Sequence, residues 1–374
     1  VLLAVSVALA CLVAGSLAYC GIMLYAVRAF RKPATEPRAS ASAPISILKP
    51  LMGADLGLEA NLRSFFVQEY PDFEILAAVR TRDDAAAPIF ERLCSEYPRI
   101  PARLILTSEP PYANAKVYSL SRMLPEARHD LLVMSDSDIR VERDMLRRVA
   151  AEFADTGISL ATCPYRAIAG ESFWSKLEAL GMNTEFLGGL LVARLLMGVD
   201  FAVGPTIVAR RSVLDEIPFD RLKEYLAEDF VLGKFASEAG MGVILSRVIV
   251  EHRIGSEPFL SNASHRLRWA RSTRRSRPAG YVGQIFTNPL PLALLLVAVQ
   301  PAWWWALIPT LILRAAAAQA VSNGVLNSPV DWLLLPLQDL LSFVFWAAGF
   351  FGNTITWRGR RYYLHPDGRF ELRA

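Results

Sequence analysis

The first charged side chain in the sequence is Arg28. Residues 1–27 are apolar or weakly polar, and at 1.5 Å per residue a helix of that length crosses the hydrocarbon of a bilayer. The other end of the chain has the same character. Residues 290–299, 303–320 and 330–351 are apolar, separated by Gln300-Pro301 and by Ser322, Asn323 and Gly324. A chain that is greasy at both ends and polar in the middle needs lipid around its termini and water around its centre. The total of 53% hydrophobic residues in 374 is too high for an ordinary soluble protein, and the 20% that are charged concentrate in the middle.

The net charge is only +4, but its placement matters more than its size. Arg28, Arg31 and Lys32 follow the first apolar run, six arginines fall between 266 and 277, and Arg358, Arg360 and Arg361 follow the last run. Basic residues beside membrane segments mark the cytoplasmic side and anionic headgroups, so nucleic acid is not the expected partner. Residues 1–30 read as an anchor; the run is long for the apolar part of a signal peptide, and no basic stretch precedes it. Three later crossings would put the basic tail outside, against the positive-inside tendency. Two, with residues 290–299 re-entrant or interfacial, keep it inside. Arg314 inside a span must snorkel or pair. Residues 186–203 are apolar but lie between motifs that have to share one compartment, so they read as a helix in the core or on the membrane surface. Cys11, Cys20, Cys94 and Cys163 have neither disulfide-framework nor zinc spacing.

Between residues 44 and about 255, strand and helix patterns alternate. Strands are expected at 45–48, 74–79, 103–106 and 130–134, and helices at 56–66, 86–97 and 116–124. This order predicts an α/β domain with a parallel sheet covered on both faces, whose ligands sit at the carboxyl ends of the strands. Asp83, Asp84, Asp136 and Asp138 all fall at such ends. Carboxylates at i and i+2 on an extended strand end point the same way, so Asp136 and Asp138 can share one Mg²⁺ or Mn²⁺. A solvated turn is the plainer account of the same pair. Asp83 or Asp84 can accept hydrogen bonds from a nucleotide base or ribose, or belong to an acidic turn. Lys49 and Lys116 can face the nucleotide or the solvent. Glu228 and Asp229 open a helix, where acidic residues are at home, yet Asp229 can also act as a general base. In the basic segment, Arg268 can pair with a diphosphate and Trp269 can form a pocket wall, although both also suit a membrane-surface helix. His129 and His252 show no ligand spacing and read as structural.

Taken in order, these motifs resemble the inverting family-2-like glycosyltransferases, and among them the ceramide glucosyltransferase group. The resemblance runs through Leu48-Lys49-Pro50-Leu51, Tyr70-Pro71, Asp83-Asp84, Lys116, Asp136-Ser137-Asp138, Ala227-Glu228-Asp229, Arg268-Trp269 and Trp357-Arg358-Gly359-Arg360. It implies a Rossmann-like nucleotide-sugar domain of the GT-A type flanked by transmembrane helices, a divalent ion, a UDP-sugar donor and single-displacement inversion. By that analogy Asp136 and Asp138 hold metal and donor, Asp229 is the base, and Arg268 with Trp269 closes the site. His265 stands where the family usually has Gln, and Thr81 where it often has another Asp. The stretch from His265 to Arg271, with Pro278, Gly280 and Tyr281 after it, is similar to hopanoid-biosynthesis glycosyltransferases that transfer N-acetylglucosamine.

The expected organisation is an anchor at 1–30, a linker at 31–43, a cytosolic catalytic domain at 44–264, an Arg-rich interfacial segment at 265–285, membrane segments at 286–353 and a basic tail at 354–374. The expected protein is an integral membrane enzyme, in a bacterium of the inner membrane, moving a hexose from a UDP-sugar to ceramide. A hopanoid acceptor with UDP-N-acetylglucosamine is the alternative. A processive polysaccharide synthase needs more spans than are visible, and an inactive scaffold would have no need of every acidic motif.

Overall fold

The computed structural model describes residues 1–32, 43–357 and 359–373, so most of the 31–43 linker and Arg358 lie outside the described residues. α1 (Leu2–Arg31) is one helix of 30 residues. The chain then alternates through β1 (Ile45–Pro50), α2 (Leu58–Phe66), β2 (Phe73–Val79), α3 (Ala86–Glu96), β3 (Ala102–Leu106), α4 (Ala115–Met123) and β4 (Leu131–Ser135). It continues through β5 (Ile139–Arg140), α5 (Met145–Glu152), β6 (Ile158–Thr162), β7 (Tyr165–Ile168) and α6 (Phe173–Gly181). A π-helical turn (Met182–Phe186) joins α6 to α7 (Leu187–Met197), before β8 (Thr206–Arg210), α8 (Arg211–Glu216), α9 (Glu228–Glu238), β9 (Gly242–Leu245) and β10 (Val250–Arg253). The rest is α10 (Phe259–Ser276), α11 (Pro278–Gly283), α12 (Pro289–Val299), α13 (Leu307–Leu326), α14 (Leu335–Gly349), β11 (Thr354–Trp357), β12 (Arg360–Leu364) and β13 (Phe370–Leu372).

The main sheet has seven strands in the order β3-β2-β1-β4-β8-β6-β9. Side chains alternate across it. Ile45, Ile47, Leu131 and Val133 enter one core with α2 and α3, while Leu48, Leu132 and Met134 enter the other with α4. β1 to β4 are parallel, as expected. The sheet as a whole is not, because β8 runs antiparallel to both β4 and β6. β8 is apolar on both faces like its neighbours, and such a pattern carries no sign of strand direction. A second, three-stranded sheet sets β10 between β5 and β7, with His252 opposite Ile139.

Among the described residues three helices are long and apolar enough to cross a membrane: Leu2–Arg31, Phe173–Met197 and Pro301–Leu326. Phe173–Met197 lies between β7 and β8, so both of its ends return to the same sheets and a crossing would pull them apart. It packs instead along α1, where Cys20, Met23, Val27 and Phe30 meet Leu187 and Leu191, and Ala317, Val321 and Val325 of α13 complete the cluster. Pro278–Phe286 and Pro289–Val299 form one arm bent by 60°. The Arg314 guanidinium pairs with Asp339, Nη2 to Oδ1 at 2.7 Å, with both side chains buried.

Among the described residues, β11, β12 and β13 pair as a three-stranded C-terminal sheet. Ile355, Tyr362, Leu364 and Phe370 of β11 to β13 cluster with Leu226, and the Phe370 amide donates to the Glu224 carbonyl at 2.9 Å. The tail therefore lies on the same side as the main sheet, and the chain from α11 to α14 returns to the side it left. α10 begins at Phe259, ahead of the expected boundary at 265, because no breaker stands between Pro258 and Arg277.

Candidate active site

β4 delivers Asp136 and Asp138 to the sheet edge, α4 delivers Lys116, and the first turn of α9 delivers Glu228 and Asp229. Lys116 sits at their centre. Its Nζ lies 2.8 Å from Asp136 Oδ1 and 3.3 Å from Glu228 Oε1, and it donates to the Gly204 carbonyl at 3.2 Å. Asn114 fixes the approach of α9, donating to the Tyr225 carbonyl at 2.9 Å and to Glu228 Oε2 at 3.3 Å. Its own carbonyl oxygen caps α4 by accepting from the Val117 amide. The Asp229 carboxylate packs against Gly204, where a Cβ would stand 2.9 Å from Oδ2.

This crowding sets the protonation states. Burial disfavours the Lys116 ammonium, but the carboxylates of Asp136, Glu228 and Asp229 outweigh it and hold its pKa up. Burial, then the neighbouring Glu228 carboxylate, pushes the Asp229 carboxyl up to about 7. Burial raises Asp136 as well, against the pull of Lys116. For Asp138 burial is outweighed by the imidazole of His252, whose Nε2 lies 3.0 Å from Oδ2, and the carboxyl is held down. Asp138 Oδ1 is buried with no partner. Among the described residues no three His, Cys, Asp or Glu side chains form a ready-made metal cage. The Asp136–Asp138 pair with its bare oxygen fits a hard divalent ion whose other positions are left to phosphates and water.

A row of rings leads away from Asp138. His252 meets Tyr165 edge-on at 5.2 Å, Tyr165 stacks on Phe186 at 5.4 Å, Phe186 faces Trp269 at 6.2 Å, and Trp269 meets His265 at 4.9 Å. Glu178 closes the row. Its buried carboxylate accepts from His265 Nδ1 at 2.8 Å and from the Asn262 amide. The π-helical turn places Phe186 in this row and turns Thr184 towards Arg314, so one element lines the site and packs against the membrane helices.

A family model described as glycosyl transferase family 21 matches residues 8–370. The chain belongs to that family. The glycosyltransferase is 24% identical to ceramide glucosyltransferase 1 of Caenorhabditis elegans, over 87% of this chain and 72% of the relative. It is 25% identical to ceramide glucosyltransferase 3 of the same organism, over 87% and 73%. Its fold is similar to that of a mannosyltransferase from Pyrobaculum calidifontis solved with GDP-mannose and Mn²⁺. The TM-score is 0.55 at 17% identity, covering 94% of this chain and 98% of that one. The fold is GT-A.

Against this frame the expected site residues divide. Asp136, Asp138, Lys116, Glu228 and Asp229 of the glycosyltransferase converge, while Trp269 and His265 stand at the other end of the row of rings. Asp84 serves the loop after β1: its Oδ1 accepts from the Gly53 and Ala86 amides, both at 2.9 Å. Asp83 stands exposed in the turn between β2 and α3. Arg268 lies on a different face of α10 from Trp269 and lines a cavity towards the C-terminal sheet. Lys49 is not a surface lysine. It is fully buried, donates to the Asp136 carbonyl, and lies 4.0 Å over the Phe65 ring; burial pushes its pKa down to about 7. His252 is not merely structural, since it holds Asp138. Asn114, Tyr165 and Glu178 also contact these residues, and none of them stands in a motif of its own. The one signal available was the position of His252 in a short strand pattern, and that pattern does not reveal β10 pairing beside β5.

Proposed function

We propose that this glycosyltransferase moves glucose from UDP-glucose to the hydroxyl of ceramide, with inversion at the sugar carbon. The observation that carries the reading is Asp229, a carboxyl with a pKa of about 7 beside the Lys116–Asp136 pair, in a site whose far wall packs on the membrane helices. The ceramide glucosyltransferase relatives support the donor and the acceptor.

In this reading Asp136 and Asp138 hold a divalent ion, Mg²⁺ or Mn²⁺, on the bare side of Asp138. When bound, the ion acts as a Lewis acid towards the departing diphosphate. Lys116 holds Asp136 and Glu228 in place and offsets their charge. Of the two acidic neighbours, Asp83 is taken in this reading to accept from the uracil, because the Asp84 carboxylate already accepts from the Gly53 and Ala86 amides. Trp269 forms the wall against which sugar and acceptor lie. Asp229 accepts the hydroxyl proton as the oxygen attacks the anomeric carbon from the face opposite UDP. The new C–O bond forms as the bond to the β-phosphate oxygen breaks, and the electron pair leaves with UDP. A base with a pKa near 7 combines ionisation with proton affinity at neutral pH. The basic flanks at Arg28, Arg31 and α10 support a catalytic face in the cytosol, in this reading at the bacterial inner membrane.

The test is product mass spectrometry. The purified chain in detergent receives Mn²⁺ or Mg²⁺ with UDP-glucose or UDP-N-acetylglucosamine, and ceramide or a hopanoid polyol. Hexosyl-ceramide is the expected product. An N-acetylhexosaminyl hopanoid without hexosyl-ceramide would move the enzyme to the other acceptor. Absence of any glycolipid, with Asp229→Asn indistinguishable from wild type, would remove the enzymatic reading.

A further inference from the structure

A cavity of about 310 Å³ lies between α10 and the C-terminal sheet. It is lined by Arg268 and Arg271 of α10, Gly352, Thr354 and Thr356 before and on β11, and Arg361 on β12. Among the described residues no carboxylate lines it. A fourth guanidinium closes the rim, since Arg373 Nη1 donates to the Thr354 hydroxyl at 3.1 Å. Among the described residues no carboxylate pairs with Arg271, Arg361 or Arg373. Arg271 is fixed rather than mobile. Its Nε donates to the Phe351 carbonyl at 3.0 Å and its Nη1 to the Thr354 carbonyl. Its Nη2 closes over Gly352, which has φ +75° and where a Cβ would stand 3.1 Å away. Burial holds the Arg271 guanidinium below the usual arginine range, against a smaller opposing effect of Tyr281. Like charges gathered around a partly buried hollow repel, and an anion placed among them reverses that balance.

The position of the cavity says which anion. Leu337, Leu340 and Val344 form an exposed apolar stripe along α14, with Leu333 exposed in the turn before it, while the inner face of that helix buries Gln338, Asp339 and Ser342. The stripe ends at Phe351, 73% exposed, and the next residue is Gly352 on the cavity wall. The guanidinium groups thus sit where an exposed apolar surface gives way to a polar one, the pattern of a boundary between acyl chains and headgroups.

We infer that this cavity holds the phosphate of an anionic phospholipid whose acyl chains lie along α14. The lining contains none of Asp136, Asp138, Lys116, Glu228 or Asp229, so the site is separate from the acidic cluster. It is nevertheless connected to it. Ile355 lines the cavity and packs against Leu226, three residues before Asp229. A bound headgroup draws α10 and β11 together and steadies the segment that leads into α9.

Native mass spectrometry and titration of the full-length protein in detergent test this, with dihexanoyl phosphatidylglycerol, dihexanoyl phosphatidylcholine, inorganic phosphate and UDP as separate probes. Phosphatidylglycerol should bind saturably and more weakly as salt rises. Arg361→Glu should weaken it about tenfold or more, the scale of a lost charge-assisted hydrogen bond, and leave UDP affinity unchanged. If Arg361→Glu fails to fold, Arg361→Gln and Thr356→Val carry the same comparison. Wild-type binding in these variants overturns the inference, as does equal binding of phosphatidylcholine. Displacement of the lipid by equimolar inorganic phosphate assigns the cavity to a free ion, and displacement by UDP assigns it to the donor; either result also overturns it. None of these readouts depends on turnover, so the inference can fail while the proposed function stands, and the reverse.

Discussion

Asp229→Asn, together with the pH profile of the unaltered enzyme, is the sharpest test of the site. Burial and the Glu228 carboxylate place the Asp229 carboxyl at about 7. A base works only when ionised, so kcat/KM should rise with pH through 7 and level above it. One unit below the pKa only about a tenth of the carboxyl is ionised, which predicts a roughly tenfold fall between pH 8 and pH 6. Lys116 lowers the same pKa, so Lys116→Met should move the limb to higher pH. Asp229→Asn keeps the shape and removes the base, and the expected loss in kcat is about 10²- to 10⁴-fold with UDP affinity retained. The assay is initial-rate formation of glycolipid from a radiolabelled UDP-sugar in mixed micelles, with UDP binding measured by calorimetry on the same preparations. A flat profile between pH 5.5 and 8, or an Asn variant within about threefold of wild type, would refute the assignment of Asp229 as base.

Three further outcomes follow from the geometry. Gly204→Ala puts a Cβ 2.9 Å from Asp229 Oδ2, a contact the side chain escapes by rotating; the fold should survive by circular dichroism while kcat falls about 10²-fold, the effect of misplacing a reacting group by roughly 1 Å. Asp138→Asn removes the charge next to the bare Oδ1, so Mn²⁺ binding in the presence of UDP, followed by electron paramagnetic resonance, should weaken about tenfold or more, while His252→Ala should weaken it less. Arg314→Leu strands a buried Asp339 and should destabilise the detergent-solubilised protein by about 3–5 kcal/mol in thermal unfolding, whereas Arg314→Leu with Asp339→Leu should recover most of that loss.

Much of the site could be read in the residues because it is local. Asp136 and Asp138 sit two apart at the end of an apolar run, and a strand of that kind sends both to one edge whatever surrounds it. Asp229 opens a helix, and Trp269 lies on a basic helix. The first four strands follow from alternating patterns of the right length. The membrane character of the ends needs only the absence of charge before Arg28 and the apolar runs after residue 289.

Tertiary structure decided what depends on residues distant in the chain. The direction of β8 is not encoded in its apolar run, because a strand buried on both faces has the same pattern either way up. His252 became the partner of Asp138 only when β10 paired beside β5, and Glu178 met His265 only when α6 packed on α10. Lys49 could face nucleotide or solvent from the sequence alone, and only the closing of the sheet over it set its Nζ under the Asp136 carbonyl. Composition and period report how one segment meets water or lipid. The pKa of Asp229, the guanidinium-lined cavity and the return of the tail to the catalytic sheet arise from charges and surfaces that the sequence holds dozens of residues apart and that only packing brings within a few ångströms.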